Sequence, residues 1–405
     1  MSEQRVNFVK RKFAEYYSQA TKLWFTPSSL EYREFGFMLF QKNVMIRHMQ
    51  FTSMNDLQNF LSEASPSDVY YSSAYYENPS QPMEKKGWLG ADLIFDIDFD
   101  HLDISCELEH EYWICEACDN AVIALKPQCP HCGQNKFRKE TWLCESCLEV
   151  AKNETLKLLD FLTNDFGFDP KEIEISFSGH RGYHVHVKNE EAKQFNQSDR
   201  REIVDYITGT GLSSEFHGLM TTTIGLEGPN LTDPGWRGRI ARGVYGYLVS
   251  STHQQLSKSK AMKTILSNRD FLLKEKWDTR WPWDAIKNVG LETWKQIVKE
   301  IIKEQASGID TVVTTDTHRL IRLPLSLHSK TGLKAMKLQF GTLEKFDPFT
   351  EAIAFKIGEM QIFVNEAHRF RIGNRQFGPF KNELVKLPMA AAVFLLCKKA
   401  AVLVK

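Results

Sequence analysis

The sequence predicts a mixed α/β chain of the α+β kind, one domain interrupted by two insertions. Three observations carry that expectation. Strand-like alternation recurs towards both ends of the 405 residues, helical periodicity fills the stretch between, and seven of the eight cysteines crowd between 106 and 147. The length suits two domains, or one large domain carrying insertions. Hydrophobic residues at 42%, aromatics at 12% and charged residues at 25% are ordinary globular proportions, which excludes a disordered, collagenous or fibrous chain.

Each element has its own signal. An apolar stripe of Val6, Phe8, Val9, Phe13, Tyr16, Tyr17 and Leu23 predicts a helix over 3–25. Over 33–51, alternation at Phe35, Phe37 and Leu39, then at Val44, Ile46 and His48, predicts a hairpin turning at 41–43. A short helix follows at 54–62, then a strand over 69–76 that stops at Asn78-Pro79. Residues 92–100 (DLIFDIDFD) are strand by period, with Leu93, Phe95, Ile97 and Phe99 on one face and Asp96, Asp98 and Asp100 on the other. Beyond the cysteine island the pattern predicts a helix over 149–166 and two strands, 173–177 and 183–187, around a turn at 178–182. A polar, helix-rich stretch comes next, before strand patterning returns over 312–323 and 334–340 and a helix closes the chain over 389–404. The expected division is a core domain of 1–102, 149–192 and 306–405, a metal-binding insertion at 103–148 and a helical subdomain at 193–305.

Fifty-one Lys and Arg against fifty-one Asp and Glu give no net charge, so bulk electrostatics do not advertise a nucleic-acid partner, although a local basic groove would suffice. The N-terminal stretch is polar, and the apolar C-terminal run is broken by Lys398 and Lys399. Neither a signal peptide nor a spanning helix is expected, which points to a soluble intracellular protein without a membrane partner. In that setting clustered cysteines bind metal rather than form disulfides.

Cys115, Cys118, Cys129 and Cys132 form two C-x-x-C knuckles a short loop apart, the arrangement that places four thiolates around a zinc ion. A second quartet, Cys106, His110, Cys144 and Cys147, would nest outside the first. Both are expected to be structural, because four protein ligands leave no open position for water. Cys397 reads as core.

Asp96 and Asp98, two apart on one strand, project to the same side and can share divalent cations, although alone such a pair also suits solvated acids on an edge strand. In the turn SGHRGYH (178–184), Gly179 and Gly182 permit backbone N–H groups to face an anion. Arg181 can fork two phosphate oxygens, while Ser178 and His184 add polar groups. His186 shares the face of His184 as packing or support, and His180 reads as a variable loop position. A third segment, 310–332, adds Asp310, Asp316, Arg319, Arg322, His328 and Lys330. Carboxylates for metal beside Arg and His groups for a triphosphate make an inventory for nucleotidyl transfer.

These blocks resemble the small, catalytic subunit of the archaeal and eukaryotic-type DNA primases, most closely the archaeal ones. The matching segments are REF (33–35) with Arg47-His48, YYSSAYYENP (70–79), ADLIFDIDFDHL (91–102), DFGF (165–168), SGHRGYHVHV (178–187) and DTVVTTDTHRLIRLPLSLHSKTGL (310–333). The resemblance implies a primase-polymerase fold, two sheets flanked by helices, with a zinc module and a helical subdomain inserted. It implies that Asp96, Asp98 and Asp310 hold Mg2+ or Mn2+, with Asp316 the runner-up for the third place. Ser178, Arg181 and His184, with Arg322 and His328, would hold the incoming nucleotide. Cys106, His110, Cys144 and Cys147 would match the family's zinc knuckle, leaving the inner quartet as an addition and the number of zinc ions, one or two, open. It further implies template-directed synthesis of RNA, or also DNA, primers on single-stranded DNA from NTPs or dNTPs, in a heterodimer with a large subunit. Such a protein is expected in the cytoplasm of an archaeal cell, or in the nucleus of a eukaryotic one. The rival readings are a stand-alone primase-polymerase for repair or plasmid replication and a non-enzymatic zinc-ribbon nucleic-acid-binding protein. The run GWRGRIARG (235–243) is read either as a contact for template or product phosphates or as a solvated basic loop.

Overall fold

Eight short strands frame the molecule in the computed structural model, which describes residues 2–19, 25–40, 44–102, 111–123, 126–250, 259–274, 282–286 and 289–404. In chain order they are β1 (Phe35–Met38), β2 (Met45–Met49), β3 (Asp68–Ser72), β4 (Leu93–Asp98), β5 (Ile173–Phe177), β6 (Gly182–Val187), β7 (Leu320–Arg322) and β8 (Met336–Leu338). They make two four-stranded sheets in the orders β7-β3-β1-β2 and β8-β5-β6-β4, with every neighbour antiparallel. In β4 the alternation works as its period demands: Leu93, Phe95 and Ile97 are fully buried, and Asp96 and Asp98 stand on the opposite face. The register sets His184 against Asp96 and Gly182 against Asp98. A Cβ on Gly182 would lie 1.7 Å from the carbonyl oxygen of Ile97, so this pairing admits only glycine.

Three segments depart from their sequence patterns for identifiable reasons. The run over 69–76 is broken at Ser73, and Ala74–Tyr76 pairs instead with Trp88–Ala91. Arg33 fastens the break: its guanidinium donates to the carbonyls of Ser72 and Ser73, both at 2.8 Å, and ion-pairs with buried Asp92 at 2.8 Å. The β-branched run Thr311–Thr315 is helical, because the Asp310 carboxylate caps it by accepting from the N–H groups of Val312 (2.9 Å) and Val313 (3.3 Å). The closing helix is Met389–Cys397; left-handed Lys399 then turns the chain into strand Ala401–Leu403. That strand adds to Glu359–Ala367, which also pairs with Phe380–Pro388, a sheet without a counterpart in the sequence reading.

The chain forms two compact units, one of Met1–Thr155, Pro170–Arg200 and Ile309–Lys405, the other of Leu156–Asp169 and Arg201–Gly308. The first contains both sheets and the described part of the cysteine island, a three-stranded ribbon of Glu111–Cys115, Ala121–Val122 and Phe137–Thr141. Within it Asp119 gathers three cations: Arg5 from the N-terminal helix at 2.8 Å, Arg138 at 3.3 Å, and Lys399. The second unit packs around Trp283 and Trp294, both fully buried with ring centroids 4.7 Å apart. There the run 235–243 lies in helix Gly235–Ser250, and Arg239 is buried against Asp165 (2.8 Å) and Asp160 (2.7 Å), over the ring of Phe161. Arg239 is thus a core ion pair of that unit, not an exposed phosphate contact.

Candidate active site and metal centre

A cavity of about 150 Å³ opens where β4 and β6 meet the segment 319–328. Asp96, Asp98, Ser178, Arg181, His184, Arg322 and His328, all singled out in the sequence, line it. Asp310 approaches from the side: its backbone N–H donates to the carbonyl of Asp96 at 2.8 Å, docking helix Thr311–Thr315 against β4. Burial first, then the charges of Asp98 and Asp310, raise the Asp96 carboxyl to about 7, while Arg319 and Arg181 oppose the shift. That is the behaviour of acids whose mutual repulsion and burial outweigh the guanidinium groups beside them. Asp310 also spends Oδ1 on its helix cap, and among the described residues only the four-cysteine group brings all its ligand atoms within 4.8 Å of one another. Asp316 accepts from the backbone N–H of His318 and does not line the cavity.

The turn at 178–182 is organised by its own serine. Ser178 Oγ accepts from the N–H groups of His180 (3.3 Å) and Gly182 (3.2 Å), which leaves its hydroxyl proton to donate. Gly179 takes φ 84°, a conformation that suits glycine, and its carbonyl accepts from the Thr331 hydroxyl at 2.6 Å. Arg181 pairs with Asp98 at 3.0 Å and also with Asp100. His184 Nε2 lies 3.5 Å from Asp96 Oδ1, and burial, with His186, Arg322 and Arg319 nearby, lowers its imidazole to about 3. Burial likewise holds His328 well below the usual histidine range. Both are neutral hydrogen-bonding groups at pH 7, so the site's fixed positive charge is carried by guanidinium. His328 Nδ1 accepts from the Lys330 N–H at 3.1 Å, which puts the ring proton on Nε2.

Three residues to which the sequence assigns no place in the site, Asp68, Tyr70 and His180, also line the cavity or hold its walls, together with Arg319 of the third segment. Asp68 pairs with Arg322 at 2.9 Å, and the Arg322 guanidinium donates to the Tyr70 hydroxyl at 3.1 Å. Arg319 lines the cavity beside Asp96. His180, read as a variable loop position, is buried, lines the cavity and packs its ring on His328 with centroids 4.8 Å apart. A lone acid or tyrosine on a strand carries no sequence signal, and the inward placement of His180 within its turn could be found only in three dimensions. His186 does not line the cavity; it stacks on Tyr71 and lies 3.9 Å from Asp92.

In the cysteine ribbon, Cys115 and Cys132 have sulfurs 3.6 Å apart, and those of Cys118 and Cys129 are 3.7 Å apart. A tetrahedron of thiolates at the usual Zn–S length of about 2.3 Å needs edges of about 3.8 Å. The donor set and its spacing therefore fit a metal such as zinc. Of the outer quartet, Cys106 and His110 lie outside the described residues. Cys144 and Cys147 sit at the start of helix Glu145–Asp160, the Cys147 N–H donating to Cys144 Sγ at 3.4 Å. Cys397, expected in the core, is half-buried, and desolvation pushes its thiol up to about 12. Among the described residues no helix is long and apolar enough to cross a membrane.

Comparison with known proteins gives one consistent result. Residues 131–337 match the family model described as DNA primase small subunit. The chain is 32% identical to the DNA primase small subunit PriS of Nitrosopumilus maritimus over 402 residues, covering 99% of each chain. It is 34% identical to the protein of the same name from Archaeoglobus fulgidus over 404 residues, 96% of each chain. The protein of that name from Methanothrix thermoacetophila shares 32% identity over 98% of both chains.

Proposed function

Because the chain belongs to the DNA primase small subunit family, in its archaeal form, we propose that it is a primase catalytic subunit that makes short primers on a single-stranded DNA template from nucleoside triphosphates. The observation that supports this reading is the three-acid locus at Asp96 lying beside a cationic turn across one strand pair. In the proposed reaction the 3′-hydroxyl of one nucleotide attacks the α-phosphate of the next, and pyrophosphate leaves. Asp96, Asp98 and Asp310 would hold Mg2+ or Mn2+ ions, which supply polarisation of the attacking and departing oxygens.

The chain's own residues do the rest of the work. Arg181 and Arg322 bind phosphate oxygens as forks. Arg181 exchanges its ion pair with Asp98 for those oxygens, which frees the carboxylate for its own role. Ser178 donates its hydroxyl proton, and His328 donates from Nε2. His184, neutral and with Nε2 3.5 Å from Asp96, gives its single N–H to the phosphates beside that carboxylate without adding charge. The Cys115, Cys118, Cys129 and Cys132 quartet would hold a structural zinc, with Cys106, His110, Cys144 and Cys147 as the site of a second. A large primase subunit and a single-stranded template are the expected partners, and the cytoplasm of an archaeal cell the expected place.

A primer-synthesis assay on single-stranded DNA, with labelled NTPs or dNTPs and with or without a large subunit, tests the reading. Synthesis should depend on Mg2+ or Mn2+ and disappear in Asp96→Asn. Near-wild-type turnover by a folded Asp96→Asn protein would overturn it.

A further inference from the structure

Lys398 closes helix Met389–Cys397 and is fully buried. Among the described residues its ammonium meets no carboxylate: Nζ donates to the carbonyl of Thr141 at 3.1 Å and to His180 Nε2 at 3.0 Å. The rings of Tyr112, Trp142 and Phe394 surround it at 5.7, 6.0 and 5.9 Å. The carboxylate whose charge acts on it, Glu140 on strand Phe137–Thr141, is already engaged by Lys330 at 2.7 Å and Arg138 at 3.7 Å. A buried charge without an opposite partner is costly. Its side-chain bond leads to the cavity, through His180 to the ring of His328, and both rings line the wall. While Lys398 is charged it can only donate, so His180 must accept at Nε2 and carry its proton on Nδ1.

We propose that Lys398 is a positioning residue for the triphosphate: a buried cation left without a counter-ion so that the bound polyanion completes it, acting through His180 and His328. This rests on the reading of the cavity as a nucleoside triphosphate site. The cost in the empty protein is visible in acid–base terms. Burial first, then Lys330 and Arg181, pull the ammonium down to about 7, against the opposing pull of Glu140 and the thiol of Cys397. His180 and His328, the titratable groups facing it from the turn and the 319–328 segment, are held neutral by burial first, then by Lys398, Lys330 and Arg322 nearby. A polyanion placed in the cavity raises the lysine again, so binding takes up a proton.

The test is calorimetric titration of the full chain with ATP and Mg2+, without template, at pH 8 in two buffers of different ionisation enthalpy. Wild type should take up roughly half a proton or more beyond the count for Lys398→Met. Lys398→Met should bind ATP about tenfold more weakly and yet unfold at a higher temperature without nucleotide, because an apolar group of similar shape replaces an unpaired charge. A merely structural lysine would lower that temperature. Lys398→Gln keeps donors for Thr141 and His180 without charge, and should lose the proton uptake in the same way. Equal affinity and equal proton uptake in either folded variant and wild type would overturn the proposal while leaving the primase reading intact. Failure of wild type to bind any nucleoside triphosphate would overturn both.

Discussion

Asp96 is where the local chemistry is most exposed to measurement. In the unfolded chain its carboxyl has the ordinary value of 3.8, and in the folded protein it rises to about 7. The folded state therefore holds that proton more tightly than the unfolded one. This contribution to stability is complete below about pH 4 and is lost as the pH climbs through 7. Asp96→Asn removes the ionisation, so the variant should unfold at a higher temperature than wild type at pH 8 and at nearly the same temperature at pH 4. Thermal unfolding at the two values checks it. Divalent cations should close the gap at pH 8 by stabilising the wild type alone. The same substitution should lower nucleotide incorporation by about 10²-fold or more, since it removes a fixed charge at the reacting centre. A different outcome is expected at Arg33. Burial pushes the Asp92 carboxyl up, but His186, the Arg33 guanidinium and the Tyr75 hydroxyl together hold it below its usual range. Arg33→Ala leaves that carboxylate buried without its cation. The cost should be about 3–5 kcal/mol in denaturant unfolding, against at most about 1 kcal/mol for an exposed pair such as Arg11 and Glu15.

At the level of elements, what could be read from the sequence was whatever a short period or a spacing encodes. The alternation in 93–98 revealed the strand and the face of its acids, and the serine–glycine turn at 178–182 revealed the bend between β5 and β6. The strand expected through 312–315 failed because a side chain outside the pattern, Asp310, satisfies the first amides of a helical turn and outweighs the β preference of Thr and Val. Asp68 and Tyr70 were invisible for another reason: their importance comes from Arg322, which lies 252 positions beyond Tyr70 along the chain. His180 and Lys398 belong to the same class, joined across 218 positions. The pairing of β4 with β6 also makes a sharp prediction. Gly182→Ala must force its new methyl group against the Ile97 carbonyl, and the variant should lose more than about 3 kcal/mol of stability in urea titration or fail to fold. Gly133→Ala is the control: nothing lies within 4 Å of its added carbon, and only its positive φ resists the change.

Across the whole molecule cations and anions are equal in number, yet one cavity gathers Asp96 and Asp98 with Arg181, Arg319 and Arg322. The four-cysteine cluster lies on the ribbon and not in the lining of the cavity. Purified protein should contain at least one zinc per chain, and two if the outer quartet is also filled, by elemental analysis. Stripping the metal with a strong chelator should lower the unfolding temperature, and Cys132→Ser should reproduce that loss. The way the damage spreads follows from Asp119. This one carboxylate directly follows Cys118 in the chain, and it ties Arg5 near the start of the polypeptide to Lys399 near its finish. Loosening the knuckle unfastens both extremities together, so limited proteolysis of chelated protein should trim the head and the tail in step, long before any cut reaches the strands between them.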